Sequence, residues 1–186
     1  LESCLSLVTS APGQVAQRLE GATDDVADII KQIRDYVFDL RTHQLLGRDL
    51  RQGLVELAQE LRASTLMQVQ VVSDDAAREA SERLSETQAS NLFLVAREAL
   101  TNILKHARAS AATVSLAACD GTLRLTVRDD GIGFDPGAGL SASGHGLRNI
   151  AERAKQLGGR LNVASQPSAG TEISLEVPLA QEARLG

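Results

Sequence analysis

The sequence predicts a two-layer α/β sandwich, with helices covering one face of a mixed, mostly antiparallel sheet of about five strands. Three observations lead there. Short segments such as "TLRLTVR" (122–128) alternate apolar and polar residues, the period of a half-buried strand. Other segments repeat apolar residues at three- and four-residue steps, the period of an amphipathic helix. Gly, Asp and Pro clusters punctuate the two kinds. A helical extension is expected ahead of the sandwich, dividing the chain into 1–45 and 46–186.

In the extension, Val26, Ile29, Ile30, Ile33, Val37 and Leu40 form one apolar stripe on a long helix ending near Arg41. Such a stripe needs a partner helix or a second copy of the chain. "THQLLGRD" then reads as a linker, and "LRQGLVELAQELRAST" as a helix with Leu54, Leu57 and Leu61 on one side. Alternation places a strand at Met67–Val72. Residues 86–108, rich in Leu and Ala and free of Gly and Pro, carry the strongest helix signal. "ATVSLAA" and "TLRLTVR" are two strands turning around "CDG". After a glycine-rich loop, "LRNIAERAKQLGG" is a helix stopped by its glycine pair. "RLNVASQPSAGTEISLEVPL" supplies the last two strands.

Composition narrows the function. With 43% hydrophobic and 23% charged residues, the chain can build a core and is not globally disordered. Three Phe, one Tyr and no Trp leave that core to Leu, Val, Ile and Ala, and argue against aromatic stacking on single-stranded nucleic acid. A net charge of −5 argues against direct nucleic-acid binding generally. Cys4 and Cys119 are far apart without metal-binding spacing, which fits a reducing cytoplasm. The start at Leu1, with no Met or signal, leads us to expect a piece of a longer protein.

Four stretches carry chemistry. On the strong helix, Glu98 and Asn102 are four residues apart, and Lys105 and His106 follow within one more turn. Val95, Leu100, Ile103 and Leu104 are expected to face the sheet. An acid, an amide and a base on one side suit a metal–phosphate site, although a solvated polar helix face is the ordinary alternative. In "VRDDGIGFDP", Asp129 continues the inward row of Leu123, Leu125 and Val127. A buried acid needs a bonded partner. A plain turn explains Asp130 and Gly131 but neither Gly133 nor an inward Asp129. The glycines of "GHGLRN" open a helix whose free N–H groups suit phosphate oxygens, or merely cap it. In "SAGTEISLEV", Gly170 and Thr171 stand at the mouth of the last strand, where a hairpin turn explains them equally well.

In this order and spacing, "REALTNILKHA", "VRDDGIGFDP", "GHGLRN" and "SAGTEISLEV" resemble the N, G1, G2 and Gly-Thr boxes of the ATP-binding domain of sensor histidine kinases. The resemblance spans about residues 66–179, is nearest to the nitrate-sensor-like subfamily, and extends to the Bergerat-type fold shared with gyrase, Hsp90 and MutL. It implies ATP and Mg²⁺ as ligands, with Glu98 as the base-like catalytic carboxylate and Asn102 as the Mg²⁺ ligand. Lys105 and His106 would lie near the phosphates. Asp129 would receive the adenine amino group, and Gly131 and Gly133 would shape the purine pocket. Gly144, His145, Gly146 and Leu147 would form the lid hinge and the phosphate-side helix start, with residues 134–143 as the lid. Thr171 would support the adenine pocket.

The implied partners are the dimerisation helices of the same kinase, in a homodimer, and a response regulator with helix-turn-helix output. The family's acceptor His, followed by an acid, has no counterpart here. His43, in "RTHQLL", reads as a surface residue. Residues 12–41 resemble the second dimerisation helix, so the chain is expected to bind ATP while lacking its own acceptor. Two other function classes compete. A nucleotide-regulated interaction module could dispense with Glu98, whereas a gyrase-like ATPase would carry a longer lid and a further domain with a catalytic lysine.

Overall fold

The computed structural model describes residues 49–135 and 144–179. The expected extension helix, His43 and most of the lid therefore lie outside the described residues. Helix α1 (Leu50–Ser64) begins at Asp49, whose carboxylate accepts the Arg51 N–H at 3.0 Å. Its buried Leu50, Leu54, Leu57 and Ala58 lie over strand β1 (Gln68–Ser73). A short helix α2 (Asp75–Glu82) follows, capped by Asp74, which accepts from Ala77 N at 2.7 Å. Nothing in the apolar pattern announces α2, because its buried residues are only Ala77, Ala80 and Ser81.

Helix α3 (Glu86–Asn102) starts in a capping box formed by Ser85 and Gln88. It touches α1 on one side, helix α4 (Gly144–Gln156) on the other, and the sheet beneath. That central place explains its broad burial, from Leu92 through Ala96 and again at Ala99 and Leu100. The expected helix to residue 108 is not one α-helix. From Ile103 to Ala107 it widens into a π-turn and stops at Arg108, whose φ of 51° is left-handed. The wider turn breaks the 3.6-residue register after Asn102. Hence Val95, Leu100 and Ile103 are buried as expected, but Leu104 is 39% exposed.

Strands β2 (Ala111–Cys119) and β3 (Thr122–Asp129) form a hairpin across Asp120 and Gly121. Both turn residues have positive φ, at 48° and 74°, as a tight two-residue turn between twisted strands requires. Strands β4 (Arg160–Ser165) and β5 (Thr171–Pro178) complete a sheet of order β1-β2-β3-β5-β4. Among the described residues only the β1–β2 pairing is parallel.

The core lies between the helices and one face of the sheet, where Val69, Val114, Leu123, Leu125, Val127, Leu175 and Val177 are almost fully buried. The other face is polar, with Arg124 and Glu176 paired across β3 and β5 at 2.6 Å. A half-buried sheet needs no second helical layer. The architecture is the predicted two-layer sandwich with one helical face.

Candidate functional site

The starts of β2 and β5, the ends of β3 and β4, and the end of the π-turn meet at one edge of the sheet. Asp129, the last residue of β3, is 5% exposed and faces the helices, as its alternation with Val127 requires. Its Oδ1 accepts the Gly131 N–H at 2.8 Å, and the Thr171 backbone N–H also donates to its carboxylate. Burial pushes the Asp129 carboxyl above its ordinary pKa, against the pull of those two N–H groups, and the neighbouring Asp130 charge adds to the rise.

Asp130 has a different role from the simple turn expected of it. Its carboxylate accepts from Ser110 N at 2.8 Å, Ser110 Oγ at 2.5 Å and Ala111 N at 2.9 Å, fastening the end of β3 to the start of β2. Those bonds, the Ser110 hydroxyl first, hold its carboxyl below the usual range. Adjacent aspartates are thus pushed apart, one by burial and one by donors.

The loop after Asp129 has no room for a side chain at either of its glycines. A Cβ on Gly131 would strike the Ala107 carbonyl and lie 2.8 Å from Ala107 Cβ. The next amide, Ile132 N, donates to that same carbonyl at 2.8 Å, tying the π-turn to the loop. Gly133 takes φ 58°, and a Cβ there would run into the Gln166 carbonyl. Only glycine combines that backbone angle with that approach.

A second cluster lies where α4 crosses α3. A Cβ on Gly146 would sit 2.6 Å from both Glu98 Oε1 and Asn102 Oδ1. Two oxygen donors therefore converge on the first turn of α4, beside backbone N–H groups that have no intrahelical partner. Among the described residues no group of three or more His, Cys, Asp or Glu could hold a metal alone. Such a pair of oxygens fits Mg²⁺, which is commonly held by one or two protein ligands while substrate phosphates and water fill the rest of its shell.

The crossing yields a prediction. Gly146→Ala should change the thermal midpoint little, because the obstructing atoms, Glu98 Oε1 and both Oδ1 and Nδ2 of Asn102, end side chains that can swing aside as a whole, and alanine favours the helix. If those oxygens hold Mg²⁺ beside a nucleotide, as the sequence resemblance implies, displacing them should weaken Mg²⁺-dependent nucleotide binding about tenfold, roughly 1.4 kcal/mol, as titration calorimetry with and without Mg²⁺ would measure.

The remaining expected residues are placed as follows. Lys105 and His106 are exposed on the π-turn, off the α-helical register they were expected to share with Glu98. Gly144 and His145 lie in the first turn of α4. Leu147 is 6% exposed, so its side chain belongs to the core. Thr171 opens β5 opposite Ser165 at the end of β4.

Sequence reasoning overlooked Ser165. Its Oγ accepts from Phe134 N at 2.9 Å, donates to the Gly170 carbonyl at 3.0 Å and lies 3.0 Å from Thr171 Oγ1. The signal was present in the alternation Leu161, Val163, Ser165, where a serine ends an inward row as Asp129 does in β3.

Comparisons with known proteins identify the family and the fold. Residues 87–181 match the family described as histidine kinase-, DNA gyrase B-, and HSP90-like ATPase. The sensor histidine kinase LiaS of Bacillus subtilis is 32% identical over 178 residues, covering 96% of this chain and 48% of LiaS. The sensor protein VraS of Staphylococcus aureus is 30% identical over 157 residues, covering 84% of this chain and 43% of VraS. The chain thus spans less than half the length of either relative.

Among solved structures, the histidine kinase domain of the blue-light-activated kinase EL346 of Erythrobacter litoralis aligns with a TM-score of 0.59. It is 28% identical, and the alignment covers 72% of this chain and 62% of that one. The chain belongs to the histidine kinase-, DNA gyrase B- and HSP90-like ATPase family, and its fold and relatives are those of the ATP-binding domain of sensor histidine kinases.

Proposed function

We propose that this chain is the catalytic ATP-binding part of a two-component sensor histidine kinase, delivering the γ-phosphate of ATP to a histidine on a dimerisation helix. The observation that carries the proposal is the convergence of Glu98 and Asn102 oxygens on the first turn of α4. Asp129, as an ionised acceptor at the buried end of the sheet, would receive the adenine amino group, with Thr171 beside it. Gly131 and Gly133, which let the loop close against the Ala107 and Gln166 carbonyls, would shape the wall of the purine pocket. Asn102 Oδ1 would ligate Mg²⁺, and Lys105, His106 and the N–H groups opening α4 at Gly144, His145 and Gly146 would meet phosphate oxygens. When bound, Mg²⁺ would offset negative charge on the phosphates.

Glu98 would orient the acceptor imidazole or take up its proton, while the surrounding donors hold the phosphates in line. The acceptor helices, a second copy of the kinase and a response regulator with helix-turn-helix output are the proposed partners, at the cytoplasmic side. Among the described residues no helix is long and apolar enough to cross a membrane.

Incubating the chain with Mg-ATP and a separate helical hairpin bearing the acceptor histidine should place acid-labile phosphate on the hairpin. ATP binding without transfer would instead favour a nucleotide-regulated interaction module.

A further inference from the structure

The Ser165 hydroxyl has three polar neighbours, and their chemistry leaves one arrangement of protons that satisfies all of them. A hydroxyl owns one proton and two acceptor lone pairs. The Gly170 carbonyl, 3.0 Å away, can only accept, so the Ser165 proton goes there. The Phe134 N–H at 2.9 Å occupies one lone pair. The contact with Thr171 Oγ1 at 3.0 Å then becomes a hydrogen bond only if Thr171 donates its own proton to Ser165. With that proton committed, Thr171 Oγ1 has only lone pairs left to offer. When ionised, the carboxyl of Asp129, which takes the Thr171 backbone N–H, likewise offers only lone pairs.

We propose that Ser165 is a positioning residue that fixes Thr171 as a hydrogen-bond acceptor, so that the pocket selects purines with an amino group rather than an oxo group at ring position 6. This rests on the assignment of Asp129 and Thr171 to the adenine pocket. An amino group brings two N–H donors to two acceptors. An oxo group brings only lone pairs, and a site built for a donor rejects a ligand that lacks one. The same hydroxyl holds the Phe134 amide, and Ser168 N donates to the Ile132 carbonyl at 2.6 Å. Base selection and the anchoring of the Phe134 amide therefore share one side chain.

The test compares the affinities of the wild-type chain and its variants for Mg-ATP and for Mg-ITP, whose base carries the oxo group. Ser165→Ala releases the Thr171 proton to serve as a donor, and the ATP-over-ITP preference should fall about tenfold. Ser165→Thr keeps a hydroxyl and should keep the preference. Ser165→Cys, a weaker acceptor, should lose part of it and serves should the alanine variant not fold. In a Thr171→Val background, Ser165→Ala should no longer change the ratio.

A ratio that stays at its wild-type value in Ser165→Ala or Ser165→Cys overturns the proposal. So does an equal fall with and without the Thr171 hydroxyl, which marks a purely structural effect. If the unsubstituted chain shows no preference for ATP, the pocket assignment itself is wrong, a failure visible before any substitution at Ser165.

Discussion

Asp129→Asn should weaken adenine-nucleotide binding about a hundredfold, roughly 3 kcal/mol, the scale of a hydrogen bond to a buried charge plus the conflict left behind. Asparagine nearly preserves shape, so the effect isolates the chemistry of the carboxylate. The Gly131 and Thr171 N–H groups both demand an acceptor at this side chain. An amide has one oxygen to answer them, and its NH₂ must then turn toward a ligand amine or toward an N–H. Either way, donor meets donor. Titration calorimetry on the folded variant measures the loss, and an unchanged affinity would remove Asp129 from the site.

The pH dependence of the same carboxylate supplies an internal control. Its pKa is raised in the folded chain, so between the unfolded and folded values the native state binds more protons. Asp129 therefore adds stability at low pH and loses that contribution as pH rises through the raised pKa. Nucleotide affinity should run the other way. Acidification through the raised pKa protonates the acceptor and should weaken wild-type binding, a decline that Asp129→Asn should lack. Asp130, shifted downward by Ser110 and Ala111, stays ionised over that interval and cannot produce the decline.

The legible parts of this chain are those where periodicity and chemistry act locally. Alternation along β3 put Asp129 on the buried face, and the Asp120–Gly121 turn followed from its residue types. The less legible parts depend on partners distant in sequence. Helix α2 buries only small residues, so its pattern carries little contrast. The π-turn is set where Ala107 meets the loop at Gly131 and Ile132, some 25 residues later, and no local propensity signals it. Leu104 was assigned inward for that reason. Asp130 looked like a turn former because its true partners, Ser110 and Ala111, become neighbours only when β2 pairs with β3. Ser165 was readable by the alternation that revealed Asp129, but a serine at a strand end raises no energetic question until its three neighbours are seen.

Glu98→Gln should separate binding from transfer. Glu98 lies on α3 one turn before Asn102, and its Oε1 approaches the same point on α4 as Asn102 Oδ1. The substitution keeps an oxygen there and leaves the Asp129 end of the site untouched, so affinity for Mg-ATP should change by less than about threefold, within roughly 0.7 kcal/mol. A glutamine cannot take a proton from the attacking imidazole and orients it less strongly than a charge does. Loss of a positioned base lowers rates by about 10² to 10⁴. Transfer to a separately supplied acceptor hairpin should fall within that range while nucleotide binding persists. A parallel loss of both would make Glu98 a part of the nucleotide or Mg²⁺ site. Unimpaired transfer would return the proton and orientation roles to water, leaving Glu98 as the polar support on which α4 rests.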